Sequence, residues 1–536
     1  MSKSILHING VPLSIGKIPI CLDYTIPVPP PDYGPLLLQF ITDDVGEESF
    51  SPEIIPLSGT LWWDLGDGSI VFTNSFVDDH HIYQNTGNKT VKVYAGTTDG
   101  SDAITDILMS EQDIVGILDI SSLTSLNNLY LDDNLSLTTI KNPKSSVLWS
   151  NYSISFCDLT GTLDVSGLTG LGGSFSVSGN PNLTNILNPV SSEIFTSYSA
   201  FECDLTGELD LSQLTNLGGY IGLNGNPNLT KILHSPSSQE LIVYNAFDCG
   251  LDGSLDLSGF QLGSDTESLQ LLLYNNYNLT ELILPASNKG VSYFQVYNCN
   301  LTGTLDISGL TNMSWFFEVY NNPNLQHILN PPTSGDIQTY YAYDCSLAGT
   351  LDISGLTIGS LMVQNNNNLT QILNPSTNRW MSIYYAYNCN LTGTLDLTTC
   401  ASISGNIQLY NNPNLTEILL PTTLTHFINN FDAHDCSLSQ TSVDAIFNKI
   451  RVWLNSHPPI QSLNINLHGG TNSWPTGSWD NTDIVSLQNI FFDNSAGGTR
   501  IVDISINVEP APPELPLLVF YTEASTNAFD PQFTVT

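Results

Sequence analysis

The sequence predicts a mainly β protein, in which a long solenoid of short coils follows a β-sandwich and ends in a small α/β cap. Three observations carry this. A phrase built on cysteine and a phrase built on asparagine alternate along most of the chain at a fixed spacing. Apolar residues stand two apart just ahead of each phrase, which is strand alternation. Near the start, a Gly-Asp-Gly turn separates two further alternating segments.

Residues 1–34 read as an arm that ends in the stiff, proline-rich TIPVPPPDYGP. The opening MSKSILHINGVPLSIGKIPI has neither a continuous apolar run nor a small-residue cleavage site, and is read as lacking a secretory signal.

Residues 35–100 form the next unit. Within it, GTLWWDLGDGSIVF and HIYQNTGNKTVKVYAG give an alternating strand, a GDG turn, a His-x-Tyr and a second alternating strand. Trp63, Asp64, Gly66, Asp67, Gly68, His81, Tyr83, Gly87, Val91 and Val93 resemble the signature of the PKD-type, immunoglobulin-like sandwich. Asp64 and Asp67 either hold calcium or, as is commoner for these residue types, close a tight turn by accepting backbone hydrogen bonds, and His80 and His81 are read as structural.

Residues 101–440 carry the repeat. CDLTGTLDVSGL at 157–168 and NPNLTNIL at 180–187 lead two series of closely related copies. The lead residues are Asn134, Cys157, Asn180, Cys203, Asn226, Cys249, Asn276, Cys299, Asn322, Cys345, Asn366, Cys389, Asn412 and Cys436. Most successive gaps are 23 residues, so the unit is one coil of a solenoid with two alternating types. Residues three, five and eight before the lead are mostly apolar or aromatic, for example Ala200, Tyr198 and Phe195, or Val296, Phe294 and Val291. The pattern LxxLxLxxN/CxL resembles the leucine-rich repeat, and implies about fourteen or fifteen coils.

That resemblance places the lead residue where the strand ends and the chain turns inward. An asparagine there can bond the unpaired backbone of the turn, and a cysteine fills the slot as a small buried thiol. Coils about 4.8 Å apart put each of Cys157, Cys203, Cys249, Cys299, Cys345, Cys389 and Cys436 roughly 10 Å from the next, too far for disulfides or shared metal ligation. Asp164, Asp210, Asp256, Asp306, Asp352 and Asp396 lie between apolar residues and are expected to face outward on a second short sheet, with Asn188, Asn330 and Asn374 at the matching positions. Single carboxylates at such spacing cannot share a calcium ion that needs six to eight oxygens. Cys21 and Cys400 lie outside the ladder.

Residues 441–508 fit a terminal cap that shields the last coil's apolar edge. QTSVDAIFNKIRVWLNSH has Val443, Ile446, Phe447, Ile450, Trp453 and Leu454 on one helical face, with Thr441 or Ser442 as its cap. Strands IQSLNINL and RIVDISIN follow, with a second helix, DIVSLQNIFF, between them. Residues 509–536 form a second proline-rich arm with an apolar strand, which could drive assembly or simply add to the molecule's own sheets.

The chain has 51 acidic and 12 basic side chains, a net charge of −39, which repels nucleic acid and anionic membranes. No apolar run is long enough to span a bilayer. There is no HExxH, no GxxxxGK[ST], no GxSxG and no CxxC, so the sequence is read as non-enzymatic, with no cofactor and no metal. Two residues before each lead stand Tyr274, Tyr297, Tyr320, Tyr343, Gln364, Tyr387 and Tyr410, preceded by Phe201 and Phe247. They alternate with the inward residues and are expected to form an outward aromatic strip, widened by Tyr341 and Tyr385. The strip is either a binding surface for a glycan or a protein, or a cross-strand ladder that stabilises the sheet.

A sandwich joined to leucine-rich repeats resembles modular surface proteins of bacteria and their phages. The resemblance implies a virion fibre, decoration or receptor-binding protein, or else a bacterial surface adhesin. Its partners would be other virion or surface proteins, held by the N-terminal domain or the arms, a host protein or glycan, and a second copy of the chain. The remaining alternatives are an intracellular leucine-rich repeat scaffold, which the sandwich disfavours, and a polysaccharide-acting enzyme. For the latter, so acidic a chain offers many carboxylate pairs but singles out none.

Overall fold

The computed structural model describes residues 7–8, 11–12, 33–43, 50–73, 81–83, 87–96, 103–473 and 503–508, with short breaks at 238, 263–268, 286–289, 376–379, 401–402, 422–427, 457–461 and 468. It is mainly β, and its body is a solenoid of about 13 coils at ~23-residue spacing, somewhat fewer than the repeat count implied.

Strands Leu36–Thr42, Lys89–Ala95, Leu61–Asp64 and Ile70–Thr73 make a four-stranded antiparallel sheet in that spatial order. Leu38, Phe40, Trp63, Val91 and Val93 point to its buried side and join one continuous core with the first coils. Strand Glu53–Pro56 leaves this sheet and pairs antiparallel with Ile104–Leu108, the first strand of the solenoid's main sheet. The Asp64 and Asp67 carboxylates accept from Gly66 N and Ser69 N, as the turn chemistry requires. His81 Nε2 lies 2.8 Å from Asp67, and the buried Tyr83 hydroxyl donates to Leu65 O.

The main sheet continues in parallel, one strand per coil, from Ile104–Leu108 through Asn128–Tyr130 and Trp149–Ser153 to Ile428–Asp432. The inward residues expected at three, five and eight before the lead are buried, including Ala246, Tyr244, Leu241, Val296, Phe294 and Val291.

The returning half of each coil does not form one long second sheet. Among the described residues it forms separate two-stranded patches, each joining one coil to the asparagine coil that follows it, such as Thr160–Asp164 with Asn182–Leu187. Gly161 has φ of 69°, a conformation that penalises any side chain, and opposite it the asparagine strand carries one extra residue, Thr184. This bulge corrects the expected alignment. Asp164, Asp306 and Asp352 pair with Leu187, Leu329 and Leu373, while Asn188, Asn330 and Asn374 sit one residue beyond.

Those asparagines have a different task. Asn142, Asn188, Asn330 and Asn374 each accept from the hydroxyl of a buried tyrosine ten residues on: Tyr152, Tyr198, Tyr340 and Tyr384. In the coil where the amide is replaced by His234, its Nε2 lies 2.9 Å from the Tyr244 hydroxyl. Where the ring is Phe294 or Phe431 and has no hydroxyl, the slot holds Leu284 or Leu420. A buried hydroxyl needs a partner and a phenyl ring does not, so the two positions vary together.

The lead slot explains the alternation. Asn322 is 0 % exposed, and its Nδ2 donates to Val319 O of its own coil and to Val296 O of the preceding cysteine coil. Its Oδ1 accepts from Leu301 N, also in the preceding coil. Asn180, Asn226, Asn276, Asn366 and Asn412 repeat these bonds. One amide therefore satisfies the turns of two coils, and the coil it reaches back to needs only a small filler. The cysteine supplies that, with Cys345 Sγ 3.3 Å from Val319 O.

The same slot runs past both ends of the recognised repeat. Gln112 holds it in the first coil, where Asn134 accepts from Ile114 N and donates to Met109 O. Gln112 Oε1 also accepts from Ser51 N and so ties the N-terminal unit to the solenoid. At the other end, Asn472 donates to Ala433 O and Leu467 O and accepts from Leu438 N, serving the Cys436 coil. Between Cys436 and Asn472, helix α1 (Gln440–Ser456) replaces the short return strand. Val443, Ile446, Phe447 and Ile450 are its buried face. The expected cap at Thr441 or Ser442 falls one turn too late: Ser439 Oγ accepts from Ser442 N, and Ser439 O accepts from Val443 N. Ser442 is buried and accepts from Ile418 N instead. Strands Ser462–Leu467 and Asp503–Val508 extend the main sheet in parallel. Cys21, the segment expected as a second helix, and the arm at 509–536 lie outside the described residues.

Candidate functional site

Each coil turns at one residue before the lead, and that residue is left-handed. Asp133, Phe156, Glu202, Asp248, Asn275, Asn298, Asn321, Asp344, Asn365, Asn388, Asn411 and Asp435 all have φ between 52° and 62°, and Gly179 and Gly225 fill the slot elsewhere. Asp and Asn tolerate this region better than other side chains. Their side chains form a second ladder: Asn275 Nδ2 donates to Asp248, Asn298 to Asn275 and Asn321 to Asn298. A new run starts at Asp344, with Asn365, Asn388 and Asn411 each donating backwards. Every step donates toward the N-terminus, so a carboxylate, which only accepts, can only begin a run.

This fixed turn aims the residue beside it, two before the lead. Phe247, Tyr274, Tyr297, Tyr320 and Tyr343 form one co-facial stack, with ring centroids 4.5 to 4.8 Å apart and planes within 11° of parallel. Gln364 interrupts it. Tyr387, Tyr410 and His434 then form a second stack at 4.4 and 4.6 Å. All these rings are half-buried. Phe201 belongs to neither stack and meets Phe156 edge-on at 6.4 Å. Tyr341 and Tyr385, one pleat back, tilt against Tyr343 and Tyr387 by 54° and 51°.

The expected strip is therefore present as a row but differs in what it offers. Rings stacked face to face cover one another's faces, so the row presents edges and hydroxyls. Partial burial, then neighbouring tyrosines and carboxylates, push the Tyr274, Tyr297 and Tyr343 hydroxyls above their ordinary value, and push Tyr410 up to about 12. They remain neutral donors and acceptors across the working pH range. The same geometry also serves the stability ladder, since stacked pairs strengthen a parallel sheet.

Glu318 stands within this face. In the strand register it lies between Gln295 and Tyr341, two residues before Tyr320. Its oxygens accept from Gln295 Nε2 at 2.8 Å and Thr339 Oγ1 at 3.4 Å.

The eight described cysteines are unpaired and buried. Burial pushes the Cys157, Cys299, Cys345, Cys389 and Cys436 thiols up to about 12, and Cys203 and Cys400 to about 11, which removes them from nucleophilic chemistry. Among the described residues no three His, Cys, Asp or Glu side chains gather as a metal-binding group, and no helix is long and apolar enough to cross a membrane. Compared with known proteins, the chain matches no family model and no curated sequence.

Proposed function

We propose that this chain is a non-enzymatic recognition protein displayed on a bacteriophage virion, as a fibre, decoration or receptor-binding component. The single observation that supports this most is the tyrosine row: Tyr274, Tyr297, Tyr320 and Tyr343 stacked on the open face of a repetitive, rigid sheet. Core packing does not call for these rings, because Leu271, Phe294, Phe317 and Tyr340 already fill the inward positions. Half-buried tyrosines present a large contact area at small entropic cost, which suits protein or glycan contact.

The virion setting rests on the likeness of the two modules to phage and bacterial surface proteins. The 23-residue unit, with its strand and inward Asn or Cys, supports membership of the leucine-rich repeats. The Asp64–Ser69 turn with the buried Trp63 and Tyr83 supports the PKD type for the N-terminal unit. Antibody labelling of the native particle tests the setting: decoration of a virion supports it, and labelling of a bacterial envelope alone would make the chain an adhesin. The triple variant Tyr297→Ser, Tyr320→Ser, Tyr343→Ser tests the surface. Binding to host cells is expected to be lost while the fold persists, and retained binding would remove the row from recognition.

A further inference from the structure

We infer that the tyrosine face receives a cationic side chain from a partner protein, an arginine seated on Glu318 between Tyr297, Tyr320 and Tyr341. This deepens the reading above and rests on it.

Charge points first to a cation. Along the open face from Val243 to His434, the described positions two, four and six before each lead carry Glu318 and Asp432 but no Lys or Arg. The flanking left-handed turns add Asp248, Asp344 and Asp435. Over the whole chain, 51 acidic side chains stand against 12 basic ones. A positively charged partner is drawn to this face and a negatively charged one is turned away.

Local geometry then selects the seat. Glu318 is the only one of these acids enclosed by the ring row rather than at its rim or end. Its charge contributes to raising the hydroxyls of Tyr297, Tyr320, Tyr341 and Tyr343, so all four lie within its field. Each carboxylate oxygen has one described donor, Gln295 or Thr339, and two lone pairs, which leaves one acceptor position on each. Two such positions on one carboxylate match the planar fork of a guanidinium better than the point charge of an ammonium. The surrounding phenol oxygens accept its remaining donors.

The stacking argues against a neutral sugar as occupant. A sugar docks by laying its C–H face on an exposed ring face, and in this row the faces are covered by neighbouring rings 4.5 to 4.8 Å away.

The test is saturation-transfer NMR with N-acetyl-arginine amide, and with N-acetyl-citrulline amide as its uncharged isostere. The arginine probe is expected to give a saturable signal that the citrulline probe does not. Glu318→Gln is expected to weaken it about fivefold, the effect of losing one partly exposed charge pair. Glu281→Gln, an exposed acid on a return strand, is expected to leave it unchanged. Thermal melting of Glu318→Gln matching the unaltered chain separates a lost contact from a lost fold. Equal binding of both probes, or arginine binding untouched by Glu318→Gln, overturns the inference. So does capture of a neutral oligosaccharide that Glu318→Gln does not affect. If the triple tyrosine variant loses cell binding while Glu318→Gln keeps it, the face is the working surface and only its cationic occupant is refuted.

Discussion

Replacing Asn322 should cost far more than replacing Cys345, the lead residue of the next coil. Asn322→Leu keeps most of the volume but removes the amide, and leaves Val296 O and Leu301 N buried without a described partner, while Val319 O keeps only the Cys345 thiol. Each buried backbone group without a partner costs about 1–3 kcal/mol, so with two such groups the variant should lose roughly 2–6 kcal/mol. Cys345→Ala removes one weak donor and a small apolar volume, with an expected loss of about 1 kcal/mol. Urea unfolding of the two variants, followed by circular dichroism, measures the difference. Hydrogen exchange then locates it, with the Leu301 amide in the preceding coil exposed by Asn322→Leu and unaffected by Cys345→Ala. Equal losses in the two variants, or an unchanged Leu301 amide, would refute the view that one asparagine serves two coils.

Burial keeps the eight described thiols protonated, so a thiol reagent at pH 8 should modify none of them in the folded chain and all of them in denaturant. Quantitative mass spectrometry of labelled peptides checks this. Burial pushes His234 down to about 4, so the folded state holds it neutral beside Tyr244 and Phe260. Its contribution is fully present above pH 6.5, where the unfolded imidazole is also neutral, and is lost as pH falls toward 4, by up to about 3 kcal/mol. His234→Asn restores the amide found opposite Tyr152, Tyr198, Tyr340 and Tyr384, and should flatten that part of the pH–stability curve. The triple Tyr→Ser variant removes the stacks Tyr274–Tyr297, Tyr297–Tyr320 and Tyr320–Tyr343. At about 0.5–1.5 kcal/mol each, that is a loss of a few kcal/mol, seen calorimetrically as a drop of a few degrees without loss of cooperativity.

Much of this architecture was legible in the sequence because a constant period gives each chemical type a constant place. Two-residue spacing before the lead identified the inward residues, and the distance between alternate coils kept the cysteines apart. What escaped was whatever broke the count or joined distant positions. Gln112 stands at almost the regular spacing from Asn134 but is neither Asn nor Cys, and Asn472 follows Cys436 by 36 residues because a helix is inserted, so neither registers as a member of the ladder. Thr184 shifts Asn188 out of line with Asp164, which hid the pairing of Asn188 with Tyr198. That pairing had a readable signal in the cysteine coils: Asn or His stands ten residues before each inward tyrosine, whereas Leu284 stands ten before Phe294 and Leu420 eleven before Phe431. At the candidate site, alternation placed the tyrosines outward, but it could not reveal that their faces would be covered. Ring orientation follows from the left-handed turn at Asn275, Asn298 and Asn321, a backbone property that composition only hints at.

Residue-resolved hydrogen exchange at Leu159, Leu205, Leu251, Leu301, Leu347 and Leu391 is the most direct measurement. Each of these amides donates to an asparagine side chain one coil further on. Protection at the level of the main-sheet strands is the predicted result. Exchange at the rate of an open loop would mean that the coils are not joined through their asparagines, and would contradict the account.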